Sequence, residues 1–123
     1  MNDKEKFIRE FKLRTKKFAV DIISLCGNLQ ATNAASVVSY QIMKSATSVG
    51  ANYRAACRGR SKAEFYSKIC IVVEEADETE YWLELILETN LSKNNLEVIR
   101  LLKESNEITK ILTKAKSTTY LNN

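Results

Sequence analysis

The stretch SVGANYRAACRGRSKAEF, residues 48–65, gathers Arg54, Arg58, Arg60 and Lys62, with Lys68 just beyond. Arginines four apart on a helix can hold successive phosphates through their guanidinium forks, so Arg54 and Arg58 form a potential anion grip. Lys12, Lys16 and Lys17 make a second basic group, with Arg9 about one turn before Lys12. These seven residues, Lys12, Lys16, Lys17, Arg54, Arg58, Arg60 and Lys62, are the candidate nucleic-acid contacts. Binding through them would weaken steeply as salt rises. The competing role is structural: pairing, within or between subunits, with an acidic run.

That run is Glu74, Glu75, Asp77, Glu78, Glu80, Glu84 and Glu88, with no base among residues 74–88. Glu80, Glu84 and Glu88 repeat every four residues, as do Glu74 and Glu78, which makes stripes along a helix. A stripe of this kind is a solvated or subunit-facing surface, since Ca²⁺ sites need loops that wrap the ion. Acid/base catalysis by a carboxylate pair needs a cleft, and nothing in the pattern builds one. The chain has no histidine, which removes most zinc sites, di-iron Glu-x-x-His motifs and every His-dependent triad. Residues 48–65 are not a phosphate loop either. Gly50 and Gly59 stand nine residues apart, no strand precedes them, and the Gly-Lys-Ser/Thr ending is missing. No enzymatic activity, cofactor, metal or small-molecule substrate is expected.

Cys26, Cys57 and Cys70 form no CxxC pair and sit among apolar residues, as small reduced core residues would. The net charge of +4 hides three basic blocks (residues 1–33, 44–68 and 93–116) and the one acidic block. Tyr81 and Trp82 interrupt the acidic face. With Leu85 they are the candidate subunit-interface residues, Trp82 being either a lid over the core or an anchor in a contact.

The elements that carry these groups are helices. The 123 residues include no proline and three glycines, enough chain for one domain, 1–123. Four seams alternate three and four residues apart: Ile8, Phe11, Thr15, Phe18, Ile22, Leu25; Val38, Ile42, Ser45, Val49, Asn52, Ala56; Phe65, Ile69, Val72, Ala76, Thr79, Leu83, Ile86; and Val98, Leu101, Ser105, Ile108, Leu112, Ala115. They predict helices over about 3–27, 35–58, 62–90 and 94–117, in an all-α, antiparallel up-down four-helix bundle of left-handed twist. Ser61-Lys62-Ala63-Glu64 reads as a capping box, and the closing STTYLNN is expected to fray. Each seam holds a polar member, and Asn52 is expected to fix register from within the core. Gly50, in a helix of small residues, suggests a close helix approach. No window reaches the roughly 18 apolar residues of a membrane span. The N-terminus lacks the apolar segment of a signal peptide, so the cytoplasm is the expected compartment.

Residues 40–86 resemble the bacterial four-helix-bundle family encoded within intervening sequences of 23S rRNA genes. The resemblance rests on Gln41, Ser45, Ser48-Val49, Ala51-Asn52, Arg58, Ser61-Lys62, Phe65, Lys68, Glu75-Ala76-Asp77-Glu78-Thr79 and Tyr81-Trp82-Leu83. The flanking helices extend it to nearly the whole chain. One position departs: the family commonly has an acid where this chain has Ala55, which frees Arg54 or Arg58 from any pairing that acid makes. The resemblance implies a homo-oligomer, a pentameric ring, with no established activity. It extends to the accessory barrels of diversity-generating retroelements, whose basic surfaces assist a reverse transcriptase and its RNA. Two readings follow: a non-enzymatic RNA-binding oligomer, or a scaffold whose charges serve subunit assembly alone.

Overall fold

The computed structural model describes residues 1–121. Four helices follow in order: α1 (Asp3–Cys26), α2 (Asn33–Cys57), α3 (Lys62–Glu88) and α4 (Asn95–Leu121). Each begins where a side chain can satisfy a free backbone N–H. The Asn2 side chain accepts from the Glu5 N–H, Thr32 from Ala35, Ser61 from Glu64 and Asn94 from Glu97. The capping box at Ser61 closes one residue early, because Glu64 accepts from the backbone N–H of Arg60. α2 starts two residues before its expected boundary because Thr32 is a competent cap. α3 ends on Asn90, whose positive φ of 55° lets the Leu91 N–H reach back to the Ile86 carbonyl. α4 runs through Ser117–Leu121, where fraying was expected; Tyr120 lies against Tyr66 of α3, ring centres 5.9 Å apart. Asn122 and Asn123, also expected to fray, lie outside the described residues.

The helices pack as consecutive antiparallel neighbours, and α4 closes on α1. Antiparallel order is visible in the contacts: Phe11 meets Tyr53 while Cys26 reaches Ser39, and Arg14 meets Glu104 while Asp21 meets Arg100. The expected seams form the core, with Ile22, Ile42, Ile69, Leu83, Ile86, Leu101 and Leu112 fully buried. At about 1.5 Å per residue, helices of 24 to 27 residues make a rod roughly 36–40 Å long.

One seam position differs from expectation. Tyr53, not Asn52, enters the core, where its ring meets Phe11 edge-on at 4.9 Å. Asn52 is half-buried and its amide donates to the Ser48 carbonyl of its own helix, so it holds no interhelical register. The buried polar residues of the helices are instead Thr15, Ser45, Thr79 and Ser105, one per helix, with Ser92 buried in the α3–α4 link. Thr79 Oγ1 lies 2.8 Å from Ser45 Oγ, and Ser45 donates onward to the Ile42 carbonyl, giving the α2–α3 contact one directional bond amid apolar packing. Such a bond contributes about 1 kcal/mol, and Thr79 Oγ1 also has the Glu75 carbonyl of its own helix at 2.8 Å.

The two ends of the rod differ. At one, the α1–α2 and α3–α4 connections clasp: the Gln30 N–H donates to the Leu91 carbonyl at 2.9 Å, and its side-chain amide to the Asn90 carbonyl at 2.8 Å. At the other, only the α2–α3 corner crosses, between the start of α1 and the end of α4. The α1–α4 contact is the slightest of the four, and ion pairs close it. Arg14 bridges Glu104 and Glu107, while Arg100 bridges Asp21 and Glu97.

Two tests of this packing follow. A methyl group at Gly50 would sit 3.5 Å from Thr15 Oγ1, an ordinary contact, so α1 leaves room for alanine and no more. Gly50→Ala is expected to stabilise the protein, by up to about 1 kcal/mol of helix propensity, and Gly50→Val to destabilise it by about 1–3 kcal/mol through overpacking. Urea denaturation of the three proteins measures both. Thr79→Val is expected to cost about 1 kcal/mol by removing the donor to Ser45, and adding Ser45→Ala is expected to restore part of it. A double-mutant cycle gives the coupling.

Candidate nucleic-acid interface

α1 distributes its charges to two flanks of its buried seam. Arg14, Lys17 and Asp21 lie toward α4. Lys12 and Lys16 lie on the other flank, toward α2, as the facing of Phe11 on Tyr53 and of Thr15 on Gly50 fixes. On α2, Arg54 follows Tyr53 on the same side of the pair, and Arg58 comes one turn later. Lys12 is half-buried; Lys16, Arg54 and Arg58 are exposed. None of the four has a carboxylate within salt-bridge distance among the described residues. Glu5, in the first turn of α1, accepts a hydrogen bond from Asn2 instead.

The other three candidates are placed differently. Lys17 pairs with Asp21 at 2.6 Å. Arg60 and Lys62 stand at the open end, on the rim of a cavity of about 900 Å³, where Lys4 and Lys114 join them. Arg60 also bonds Glu64 at 3.3 Å. The structure therefore brings Lys12, Lys16, Arg54 and Arg58 to one flank, assigns Arg60 and Lys62 to the open end, and engages Lys17 toward α4.

Two of the cations that do pair, Arg14 and Arg100, are ones the sequence pattern did not single out. Arg14 donates through Nε and Nη2 to Glu104, and the bond to Glu104 raises its guanidinium pKa. Partial burial pushes the Asp21 carboxyl up, but hydrogen bonds from Lys17 and Arg100 outweigh it and hold it below its usual value. The bond from Arg100 likewise lowers Glu97. The signal for these pairs lay in the matching of charges across α1 and α4, which only the bundle's register reveals.

Among the described residues, Glu74, Glu75, Asp77, Glu78, Glu80, Glu84 and Glu88 form no ion pair; Glu80 accepts from Asn106. Partial burial pushes the Glu75 carboxyl up, with Glu78 adding and Lys44 opposing. α3 sits diagonally from α1, so the acidic run is kept away from Lys12 and Lys16. Of the interface candidates, Tyr81 is exposed, while Trp82 and Leu85 are half-buried. Trp82 packs against the core, with Tyr81 edge-on at 5.1 Å, and its indole N–H is buried without a partner. Trp82 thus covers the margin of the core, with no partner for its indole N–H among the described residues. The cysteines are free and half-buried, and burial raises the Cys26 thiol pKa.

No helix among the described residues is long and apolar enough to cross a membrane. Comparison with known proteins places this bundle. A crystal structure of a protein of unknown function from the S23 ribosomal protein family of Bacteroides thetaiotaomicron is similar, at 38% identity and a TM-score of 0.78. The match covers 86% of this chain and 97% of that one. No curated protein matches. The sequence model described as 23S rRNA-intervening sequence protein matches residues 10–114, a span that holds all of the four seams except their end members Ile8 and Ala115. The chain therefore belongs to the 23S rRNA-intervening sequence protein family.

Proposed function

We propose that this protein is a non-enzymatic, homo-oligomeric RNA-binding protein of the cytoplasm that holds phosphates along the α1–α2 flank. The observation that carries this reading is the set Lys12, Lys16, Arg54 and Arg58: four cations on one flank, free of carboxylate partners, with the acidic α3 diagonal to α1. Arginine forks and lysine point charges on rigid helices suit a phosphate backbone and carry no base readout, so binding would be tolerant of sequence. Ala55 leaves the turn between Arg54 and Arg58 without an acid. In a ring, pentameric as the resemblance implies, the flank recurs once per subunit, and modest contacts on one RNA sum through avidity.

A second reading is supported by the unpaired acidic run of α3. Two charged faces of opposite sign on one subunit can meet across a boundary between copies, in which case the charges serve assembly. Exposed Tyr81 borders that face.

The two readings part on one variant. Arg54→Glu with Arg58→Glu is expected to weaken binding of a labelled RNA hairpin at least about tenfold, by a similar factor for unrelated sequences, while the oligomer's mass stays unchanged. Fluorescence anisotropy and light scattering measure the two. Loss of the oligomer with unchanged RNA affinity per subunit would select the scaffold.

A further inference from the structure

The open end of the bundle holds a cavity that the flank does not use. Its volume, about 900 Å³, falls within the roughly 300–1,000 Å³ of small-molecule sites. Its floor is aromatic: Phe7, Phe11, Tyr53 and Phe65. Phe7 and Phe11 stack with centres 5.7 Å apart and planes 8° from parallel, and Tyr53 closes on Phe11 edge-on. Phe7 is 49% exposed, so its ring continues the stack into open space. The charged groups around this floor are Lys4, Arg60, Lys62 and Lys114, and among the described residues no carboxylate side chain lines the cavity. The adjacent acid, Glu64, is held by the backbone N–H and guanidinium of Arg60.

We propose that this cavity binds a nucleoside phosphate, its base stacked on Phe7 and its phosphate among Lys4, Arg60, Lys62 and Lys114. A planar ring extends the Phe11–Phe7 stack in a way an aliphatic chain cannot, because stacking draws on flat π-faces at van der Waals distance. A cationic rim with no lining acid selects a phosphate-bearing ring over a neutral one. Ser61 and Thr118 also line the cavity and add hydroxyls to it. The nucleoside phosphate has two sources, a free mononucleotide or the unpaired end of an RNA strand. In the second case the inference rests on the RNA reading and deepens it: the flank holds the backbone and the cavity takes the terminal nucleotide.

The test uses the full chain and two variants, Phe7→Leu, which keeps apolar bulk but removes the ring, and Arg60→Glu with Lys62→Glu. Circular dichroism confirms that each folds. AMP, UMP and adenosine are titrated into labelled protein and amide shifts followed by NMR; a blunt RNA hairpin and the same hairpin with a 5′-phosphorylated single-stranded overhang are compared by anisotropy. The expected result is millimolar or tighter AMP binding with shifts at Phe7 and Thr118, adenosine at least about fivefold weaker, and a loss of about fivefold or more on Phe7→Leu. Preference for the overhang that vanishes in Phe7→Leu assigns the strand end; AMP binding without that preference assigns the free nucleotide. If neither nucleotide binds up to about 10 mM and Phe7→Leu leaves overhang binding unchanged, the inference is overturned. In that outcome, equal binding of the blunt hairpin by both proteins leaves the flank reading standing, whereas no hairpin binding ends that reading too.

Discussion

Everything in this structure depends on each helix burying a single narrow seam. With apolar residues alternately three and four apart, a helix covers its own stripe only when two neighbours flank it, and four such helices satisfy one another in a closed square. Burial is therefore complete along the axis, as at Ile22, Ile42, Ile69 and Leu101. The charges lie off the seams, and their distribution follows from which flank of the seam they occupy.

The connections impose the second asymmetry. Two short links clasp at one end through Gln30, Asn90 and Leu91, whereas a single corner at Arg58–Ser61 spans the other. A rod tied at one end and open at the other has room for a cavity only at the open end, and the residues that turn the corner become its rim. The turn chemistry of Gly59 and Ser61 thus brings Arg60 and Lys62 to the cavity, and keeps them off the flank where Arg54 and Arg58 stand. A β-carbon at Gly59 would lie 3.1 Å from the Ala56 carbonyl, a tight fit at this corner.

Much of this was legible in the residues. The seams, the cap at Ser61 and the polar member of each seam follow from helical period and hydrogen-bonding capacity. Asn52 and Tyr53 were exchanged because a three-four pattern tolerates either residue at that turn; the facing Phe11 decides for Tyr53, and no local rule names the facing residue. The α1–α4 ion pairs were invisible for the same reason, since they join residues 79 to 93 apart in the chain. The end of α4 was placed short because Ser-Thr-Thr has modest helix propensity, which the contact of Tyr120 with Tyr66 overrides. The basic residues were identified individually, but their division into a flank, a rim and a closed pair required the register. Lys4 and Lys114, far apart in sequence, gave no sign that they would meet Arg60 and Lys62.

The central claim is that the flank cations face a polyanion and not another subunit. The most direct measurement is a salt titration of RNA-hairpin binding by the wild-type protein, with the mass of the assembly followed in the same buffers. The account expects log affinity to fall linearly with log salt, because each phosphate held releases counterions, while the mass stays constant across the range. Absence of binding at low salt, or an assembly that falls apart in step with rising salt, would contradict it and give the charges to subunit contacts.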